Sequence, residues 1–444
     1  MDMLTIQGGT PLRGTVRVEG AKNAALPIMA ACLVVRGQVQ LAQVPDLVDV
    51  ATMTQLLQSL GCVINRTKTQ TATIDADSAN RSFADYELVR RMRASICVLG
   101  PLLARFGKAQ VSLPGGCNIG HRPIDLHLKG LAALGADLRI ENGYVVATAT
   151  RLRGADVELG GPSGSTVTGT CNVMVAAALA KGRTTIRSAA CEPEVVDLGN
   201  FLNAAGAQIS GLGTSVVEIS GVESLQGVTH TILPDRIEAA TFAIAAAATR
   251  GNILIPNART EDLTSVIDAL RVMGVRIVSS SAGLEVSCHS ELQPVDIVAM
   301  PYPGIPTDTQ AQFMACLCTV QGVSKVRDAV FPDRFMHAAE LLRMGANLQR
   351  HGDLTVVHGG QRLTGASVMA SDLRASAALV IAGLAATDQT TVRRIYHLDR
   401  GYARLEEKLT ALGAPVSRVP DSSNTADVQP PHFKLQKRSE RTIL

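Results

Sequence analysis

One pattern of apolar and polar positions recurs six times along this chain. In each copy, apolar residues at helical spacing lead to a glycine, and a run of alternating or β-branched residues follows. Before Gly274, for example, residues 263–273 have helical spacing, and residues 275–278 are typical of a strand. A glycine here suits the left-handed backbone that ends many helices. The six glycines are Gly61, Gly135, Gly206, Gly274, Gly345 and Gly413.

These glycines are spaced almost evenly, at 74, 71, 68, 71 and 68 residues. Regular spacing on this scale indicates a repeated structural unit. Each unit is predicted to run roughly helix–strand–helix–strand, with a further strand in several copies. Most units also contain an apolar stretch of small residues, which predicts a helix that packs closely on its neighbours. These stretches are 24–33, 173–180, 239–249, 310–320 and 375–385.

Six units in 444 residues predict an α/β protein of two domains with three units each, because a chain of this length exceeds one ordinary core. The first complete unit opens near Lys22, so residues 1–20 lack a helix pair of their own and could close the second domain. The predicted domains are 22–232 and 1–21 plus 233–419. Residues 420–444 are rich in Pro, Ser, Asn and basic residues, which predicts a disordered tail.

Composition narrows the class of protein. Hydrophobic residues make up 46% of the chain, aromatic residues make up 3% and Trp is absent, so the cores should be aliphatic. A net charge of +3 does not predict a nucleic-acid-binding face, but it permits a local basic cluster for a small anionic substrate. The longest apolar stretches, such as 24–35 and 375–386, are too short to cross a membrane and are better explained as buried helices.

Cysteine and histidine usage predicts a cytoplasmic protein without a metal or cofactor. The nine cysteines are scattered without paired spacing, and the N-terminus does not resemble a signal peptide. The nine histidines show no metal-ligand spacing. Cys316 and Cys318 lie in an apolar helical pattern without partner ligands, which favours core packing over a metal site. No phosphate-binding or dinucleotide-binding glycine motif is present.

The segment 113–125 is the first candidate for chemistry. Three glycines and a proline surround Cys117 in a predicted loop, and such a loop can act as a lid and approach a ligand closely. Arg122 would favour the thiolate of Cys117 and could hold an anion. The alternative is an ordinary turn with an incidental cysteine.

Four basic residues occupy similar places in the units, close to the predicted starts of helices. They are Lys22, Arg93, Arg236 and Arg374. A positive side chain is unfavourable at the positive end of a helix unless an anion binds there. Several such helix ends that converge would form a phosphate site. The alternative for each residue alone is a solvated charge at the edge of a helix.

Asp308, Arg334 and Arg400 complete the set of candidate residues. Both arginines lie in loop-like segments between a strand and a helix. Asp308 follows Pro306 and Thr307 where a helix is predicted to begin. Its carboxylate would therefore either cap that helix or act as a base.

Nine motifs that contain these residues resemble those of the UDP-N-acetylglucosamine enolpyruvyl transferases, and they follow the order of that family. The resemblance implies an inside-out α/β barrel fold of two domains, each with three units and with helices packed inside. The active site would lie between the domains, and residues 1–21 would complete the second domain. The motifs are 20–27, 92–95, 114–125, 192–197, 233–238, 306–312, 334–337, 372–376 and 395–402.

The resemblance also implies the reaction. The family transfers the enolpyruvyl group of phosphoenolpyruvate to the 3-hydroxyl of UDP-N-acetylglucosamine and releases phosphate, the first committed step of peptidoglycan precursor synthesis. Cys117 would be the proton donor, able to form a covalent adduct with phosphoenolpyruvate and to be alkylated by the epoxide antibiotic fosfomycin. Asp308 would be the base toward the sugar hydroxyl. These two small molecules are the expected partners, with no nucleic acid and no membrane.

Polar and cationic residues would hold the two substrates. By the same resemblance, Lys22 and Asn23 would contact phosphoenolpyruvate, and Arg122 and Arg400 would hold its anionic groups. Lys22 and Arg400 would also count among the catalytic residues. The charged cleft would further include Arg334 and Arg374, and the UDP-sugar would contact Arg93, Arg122, Pro123, Ile124, Asp125, Leu126 and Val330.

Two departures from the family pattern concern the nucleotide. Val48 stands where the family usually has lysine before Asp49, and residues 164–168, Gly-Ser-Thr-Val-Thr, align with a family Lys-Val-Ser-Val-Gly. A positive charge is therefore missing, and the glycine is replaced. The remaining alternatives are a divergent paralogue with another UDP-sugar acceptor and a non-catalytic binding protein. The sister 3-phosphoshikimate enolpyruvyl transferases are disfavoured, because Lys22-Asn23 replaces their Ser-Lys-Ser signature and the Cys117 segment is present.

Overall fold

The computed structural model describes residues 2–67, 69–115 and 123–421. Cys117 and Arg122 lie outside the described residues, as does most of the predicted tail, residues 422–444. The disorder expected for that tail stays a prediction.

Helices account for all of the alanine-rich stretches predicted from the sequence. The second unit has no such stretch, and the helix at its centre, α4, is built from larger residues. Short 3-10 helices cover Cys32–Val34, Arg93–Val98, Thr260–Leu263 and Ile395–Arg400. The α-helices of the described residues are α1 (Lys22–Ala31), α2 (Val48–Ser59), α3 (Tyr86–Val89), α4 (Leu99–Phe106), α5 (Asp125–Ala133), α6 (Val167–Ala178), α7 (Pro193–Ala204), α8 (Arg236–Ala248), α9 (Thr264–Val272), α10 (Thr307–Leu317), α11 (His337–Arg343), α12 (Leu373–Ala385) and α13 (Leu405–Ala411).

Strands are short and recur between these helices. Those of the described residues are β1 (Asp2–Gln7), β2 (Arg13–Thr15), β3 (Val35–Arg36), β4 (Gln38–Ala42), β5 (Val63–Arg66), β6 (Ala72–Asp75), β7 (Phe83–Ala84), β8 (Lys108–Ser112), β9 (Asp137–Glu141), β10 (Tyr144–Thr148), β11 (Asp156–Glu158), β12 (Gly160–Gly161), β13 (Gly164–Ser165), β14 (Arg183–Arg187), β15 (Gln208–Ser210), β16 (Val216–Ser220), β17 (Leu225–Gln226), β18 (Thr229–Thr231), β19 (Asn252–Ile255), β20 (Arg276–Ser280), β21 (Gly283–Ser287), β22 (Ile297–Ala299), β23 (Gly322–Asp328), β24 (Asn347–His351), β25 (Leu354–Gly359), β26 (Ser367–Met369), β27 (Gln389–Arg393) and β28 (Val416–Pro420).

Six four-stranded sheets with one shared topology are formed within the described residues. In each sheet, the first strand of the order below is parallel to its neighbour, and the two remaining pairings are antiparallel. The prediction of six repeated α/β units is confirmed. The orders are β18-β4-β6-β5, β7-β8-β10-β9, β11-β14-β16-β15, β2-β19-β21-β20, β22-β23-β25-β24 and β26-β27-β1-β28.

Strands from the N-terminal segment complete sheets in the second half of the chain. Strand β1 lies between β27 and β28, with Leu4 opposite Val392, and β2 pairs with β19. In the first half, β18 returns to pair with β4. Each half of the chain is therefore closed by a strand that comes from the segment joining it to the other half.

Helices fill the inside of each half, as the inside-out barrel requires. In the first half, α1 and α4 both pack on α6, and in the second half α8, α10 and α12 pack on one another. Every residue of α8 is buried, and α12 is buried from Leu373 to Leu384. Alanine at many of these positions lets the helix axes approach closely, so the helices predicted to be buried are buried.

The six repeat glycines all adopt the left-handed conformation. Their φ angles lie between +90° and +108°, at or just beyond the C-terminal end of a helix. A residue with a Cβ is strained in this region, which explains why glycine recurs there. The helix-ending role predicted from the sequence is confirmed.

The described residues form two hydrophobic cores, and the chain passes from one core to the other twice. One core is formed by residues between Ala21 and Leu233 together with Ala403, and the other by residues 4–18 and 239–416. At the crossings, Ala21 N–H donates to Leu233 O at 2.7 Å, and Asp235 N–H donates to Glu19 O at 2.8 Å. We propose that the domain boundaries predicted near residues 21 and 233 lie at this pair of antiparallel segments.

A buried charge cluster reinforces the crossings. Lys408 Nζ donates to Glu238 Oε1 at 2.7 Å and lies 3.0 Å from Glu19 Oε1. Glu238 Oε2 accepts from Glu19 N–H at 2.7 Å. Burial raises the pKa of Glu238 to about 7, although the charge of Lys408 opposes this shift.

Glu238 should make stability fall as pH rises. From its ordinary pKa of 4.5 up to about 7, the folded protein keeps a proton that the unfolded chain has lost. One such proton lowers the free energy of unfolding by at most about 1.4 kcal/mol per pH unit. Glu238→Gln should flatten this slope in urea unfolding measured across the window, whereas exposed Glu223→Gln should keep it. Equal slopes in all three proteins would show that Glu238 does not titrate in this way.

Candidate active site

A buried acid joins two of the predicted cations. Asp49, in α2, accepts hydrogen bonds from Lys22 Nζ at 3.2 Å and from Arg400 Nε at 2.9 Å. Lys22 opens α1, and Arg400 ends the 3-10 helix Ile395–Arg400. Since Lys22 and Asp49 come from the first half of the chain and Arg400 from the second, these three residues, the Asp49 cluster, connect the two halves.

Asp49 is held as a carboxylate in this cluster. Burial alone would raise the pKa of Asp49, but the charges of Lys22 and Arg400 outweigh it and lower that pKa below its ordinary value. The side chains of Asp49 and Lys22 are only 4% and 10% exposed, so water screens the pair weakly. Lys22 and Arg400, the two cations predicted to hold an anionic substrate, are therefore both paired with Asp49, an anion of the protein itself.

A second acid joins two further cations. Asp308 Oδ1 accepts from Arg334 NH1 at 2.7 Å, and Asp308 Oδ2 accepts from Arg374 NH2 at 3.0 Å. Arg374 is the second residue of α12, and both arginine side chains are less than a tenth exposed. We call these three residues the Asp308 cluster.

Asp308 does not cap its helix. Burial opposes ionisation, but Arg374 and Arg334 hold the pKa of Asp308 well below its usual range. The residue before α10 is Pro306, and no side-chain hydrogen bond caps this helix. The capping role considered for Asp308 is therefore wrong, and its carboxylate faces the two arginines instead.

Three residues that the sequence did not single out support Arg374. Tyr402 OH accepts from Arg374 NH1 at 3.0 Å and lies 2.9 Å from Thr241 Oγ1. Gln312 Nε2 donates to Asp308 O at 2.7 Å and to Tyr402 OH at 3.4 Å. These contacts fix the guanidinium of Arg374 so that its NH2 group remains directed at Asp308.

The two clusters belong to one electrostatic site. Burial lowers the pKa of Lys22 most, Asp49 opposes this effect, Arg374 and Arg400 lower the pKa further, and Asp308 opposes it again. These effects require the charges of both clusters to lie near the Lys22 ammonium. Lys22, Arg400, Arg334, Arg374 and Asp308, predicted separately from the sequence, are thus brought together.

Arg236 pairs with a different acid, Glu194. It donates to Glu194 from Nε at 2.9 Å and from NH2 at 3.2 Å, and both residues are buried. Its guanidinium also lies over the Tyr302 ring, 5.4 Å from the centroid. The anion expected near this helix start is therefore a carboxylate of the protein itself.

The residues predicted to contact the UDP-sugar lie mainly around the start of α5. Arg93 NH2 donates to Pro123 O at 3.2 Å. Ile124 is buried, Asp125 is the exposed first residue of α5, and Leu126 is half-buried. In the sequence Arg122 directly precedes Pro123, but it lies outside the described residues.

Asn23 and Val330 complete the predicted contacts. Asn23 follows Lys22 in α1 and is half-buried. Val330 N–H donates to Asp328 Oδ1 at 2.9 Å, and the other oxygen of that carboxylate accepts from Thr307 at the start of α10. Val330 is thus held by Asp328, and Arg93 donates to Pro123 O.

The described cysteines are poor candidates for nucleophiles. Of the eight that the structure covers, all are free and seven are buried, while Cys191 is half-buried. Burial raises the pKa of Cys62 to about 11 and that of Cys97 to about 12. In the described ranges, no group of three or more His, Cys, Asp or Glu side chains is placed to hold a metal, and no helix there is long and apolar enough to span a membrane.

Comparisons with known proteins match nearly the whole chain. A family model described as EPSP synthase (3-phosphoshikimate 1-carboxyvinyltransferase) matches residues 6–409. A UDP-N-acetylglucosamine 1-carboxyvinyltransferase of Methylacidiphilum infernorum is 51% identical over 419 residues, which cover 94% of this chain and 99% of that protein.

Solved structures agree with this match. The enolpyruvyl transferase NikO of Streptomyces tendae has a TM-score of 0.85 at 28% identity, over 94% of this chain and 98% of that one. An EPSP synthase from Acinetobacter baumannii has a TM-score of 0.70 at 18% identity, over 95% of this chain and 100% of that one. This second likeness concerns the fold alone.

Proposed function

Because this chain belongs to the EPSP synthase family, and within it to the UDP-N-acetylglucosamine 1-carboxyvinyltransferases, we propose that it transfers the enolpyruvyl group of phosphoenolpyruvate to the 3-hydroxyl of UDP-N-acetylglucosamine. Phosphate is the second product. The observation that carries the proposal is the pair of buried clusters, in which four cations and two carboxylates from both halves of the chain form one site.

Phosphoenolpyruvate brings a phosphate and a carboxylate, so it needs several fixed cations. Lys22 and Arg400 are desolvated and held by Asp49. An anionic substrate that approached them would compete with Asp49 for the same donors, and it would bind strongly because few waters screen them. The same cations would stabilise the departing phosphate.

The sugar hydroxyl needs a base, and Asp308 is assigned that role. Its low pKa reflects the two arginines bound to it, which also make it a weak base in the arrangement described. An anionic substrate that drew hydrogen bonds of Arg334 or Arg374 away from Asp308 would raise its basicity. The arrangement therefore supports a base that is strengthened when phosphoenolpyruvate is bound.

The acid of the reaction is assigned to Cys117. Protonation of the methylene carbon of phosphoenolpyruvate makes the adjacent carbon electrophilic, and the sugar hydroxyl attacks there. Loss of a proton and of phosphate then restores the double bond. An acid on one side and a base near the hydroxyl are sufficient for this sequence.

In the cell, the proposed reaction is the first committed step of peptidoglycan precursor synthesis. Both proposed substrates are small soluble metabolites. We place the enzyme in the cytoplasm, because its unpaired cysteines suit a reducing compartment.

The identity of the acceptor can be tested by phosphate release. With phosphoenolpyruvate present, UDP-N-acetylglucosamine should support turnover. Shikimate 3-phosphate should be at least about a hundredfold slower in kcat/KM, because it lacks the nucleotide and would leave the polar groups of the nucleotide site unpaired. Phosphoenolpyruvate alone is the control. Comparable rates with both acceptors would contradict the assignment. If neither acceptor gave any phosphate release, a non-catalytic protein would be favoured.

A further inference from the structure

Asp328 is a fully buried acid to which the proposed function gives no role. It is the last residue of β23, and it is 0% exposed. Its Oδ1 atom accepts from Val330 N–H at 2.9 Å and from Phe331 N–H at 2.7 Å. Its Oδ2 atom accepts from Thr307 Oγ1 at 2.5 Å. This one carboxyl group therefore joins the segment after β23 to the first residue of α10.

The three contacts favour the carboxylate form of Asp328. Burial raises the pKa of Asp328, but the hydrogen bonds from Phe331, Thr307 and Val330 oppose that shift. A protonated Asp328 would donate to Thr307, whose own proton would then lose its acceptor among the described residues. With Asp328 ionised, all three donors are satisfied. The Thr307 hydroxyl thus donates to Asp328, and its oxygen remains able to accept.

The Thr307 oxygen accepts from Arg334. The NH1 group of Arg334 lies 3.2 Å from Thr307 Oγ1 and 2.7 Å from Asp308 Oδ1, and it has one proton for each. The NH2 group is 4.0 Å from Asp372 Oδ1, and the buried Nε has no hydrogen-bond partner in the ranges that the structure describes. Two acceptors therefore share this guanidinium: Asp308, the proposed base, and Thr307, which Asp328 fixes.

Asp328 also acts on the same guanidinium by a second route. Arg334 Cζ lies 5.9 Å from the centroid of the Phe331 ring. A cation over an aromatic ring at such a distance is attracted to it. Because Asp328 binds the N–H of Phe331, it fixes both the hydroxyl and the aromatic residue that contact Arg334.

We propose that Asp328 is a positioning residue, which holds Arg334 through Thr307 and Phe331 while Asp308 exchanges this arginine for the sugar hydroxyl. An arginine held by Asp308 alone would follow the carboxylate and continue to neutralise it. With Thr307 as its second acceptor, Arg334 stays in place when Asp308 turns to the substrate. The inference rests on the proposed function and deepens it, because it assigns the release of the base to an acid outside both clusters.

Removal of the Thr307 hydroxyl tests this role. Thr307→Val keeps the shape of the side chain and should lower kcat about tenfold, the effect of one lost hydrogen bond to a charged group. Thr307→Ser should restore most of kcat. Calorimetry with UDP-N-acetylglucosamine alone should show nearly wild-type affinity for Thr307→Val, because the segment after β23 keeps its hydrogen bonds to Asp328.

Thr249→Val is the matched control for this substitution. Thr249 is buried at the end of α8, and its hydroxyl donates to Ala245 O at 2.8 Å. Thr249→Val removes a buried hydroxyl that contacts neither cluster, so its kcat should equal that of the wild type.

Asp328→Asn tests whether Asp328 acts through Thr307. Asparagine keeps an oxygen for the two backbone N–H groups but places an amide against the Thr307 hydroxyl. It should lower kcat, and its addition to Thr307→Val should cause little further loss, since both changes act on one hydroxyl. Losses that multiply in the double variant would contradict the positioning role. If Asp328→Asn does not fold, Thr307→Val and Thr307→Ser decide the question.

Crystal structures of the ligand-free wild type and of Thr307→Val separate this inference from the proposed function. The Arg334 guanidinium should be displaced in the variant, where Asp308 alone accepts from NH1. The same guanidinium position in both proteins, or wild-type kcat in Thr307→Val, would overturn the inference. A displaced Arg334 in a protein whose wild type turns over no acceptor would leave the positioning of Arg334 standing and contradict the proposed function.

Discussion

Replacement of Asp308 by asparagine is expected to lower kcat by about 10²–10⁴-fold, the usual contribution of a positioned acid or base. Asparagine keeps the shape of the side chain but cannot take the proton of the sugar hydroxyl. In the free protein, Arg374 and Arg334 keep the pKa of Asp308 well below its usual range, so kcat/KM of the wild type should not fall near neutral pH through protonation of Asp308. Phosphate release at saturating substrate concentrations measures kcat, and phosphate release at low concentrations measures kcat/KM.

The same substitution also removes the partner of two buried arginines, so stability must be measured beside turnover. Loss of one member of a buried ion pair costs about 3–5 kcal/mol. Glu194→Gln is a suitable control, since Glu194 and its partner Arg236 are both buried and Arg236 Nε donates to Glu194 Oε1 at 2.9 Å. Both variants should unfold at lower urea concentration, and only Asp308→Asn should lose kcat to this extent. An Asp308→Asn enzyme with near wild-type turnover would exclude Asp308 as the base.

The fold could be predicted well because its signals are local. Each repeat glycine sits where the chain needs a left-handed residue, so the six copies keep the same residue at nearly the same spacing. Alanine-rich runs marked the inner helices for a similar reason, since only small side chains permit close packing. The alanine pattern did not predict the helix α4, because Leu99, Leu102 and Leu103 form its buried face instead.

The site was predicted only in part, because its partners are distant in sequence. Helix starts with a basic residue predicted bound anions, and binding of a substrate anion there stays a prediction. In the protein alone, the partners of these cations are Asp49, Asp308 and Glu194. Arg400 and Asp49 are 351 residues apart, and no sequence periodicity connects them. A buried cation is costly without a counter-charge, but only the fold brings Asp49 next to Lys22 and Arg400.

The supporting residues had no sequence signal of their own. Tyr402 closes the Arg400 motif, yet its hydroxyl contacts Arg374, which lies 28 residues earlier in a separate motif. Such networks depend on three-dimensional packing, and a single sequence does not predict them.

Replacement of Cys117 by serine should cause a loss comparable to that of Asp308→Asn, about 10²–10⁴-fold in kcat, because a hydroxyl is a much weaker acid than a thiol. Cys117→Asp should retain activity, since a carboxyl group can also donate a proton, and it should resist epoxides. This contrast separates loss of the acid from general damage to the segment. Equal inactivity of both variants would argue against proton donation by residue 117.

Selective alkylation is expected for a related reason. Arg122 and the cations of the site should favour the Cys117 thiolate, which is the reactive form. Seven of the eight described cysteines are buried, and Cys191, which is half-buried, has a pKa raised by burial and by Glu192. Cys191 is therefore the competitor to monitor. The UDP-sugar should accelerate labelling, because the glycine-rich segment is predicted from its sequence to close over a bound ligand.

Peptide mapping after treatment with fosfomycin, combined with the residual rate of phosphate release, tests the central claim most directly. We expect one fosfomycin per chain on Cys117, faster labelling with UDP-N-acetylglucosamine, loss of activity in proportion to labelling, and no label in Cys117→Ser or Cys117→Asp. Label distributed over several cysteines, or complete labelling of Cys117 with activity retained, would contradict it.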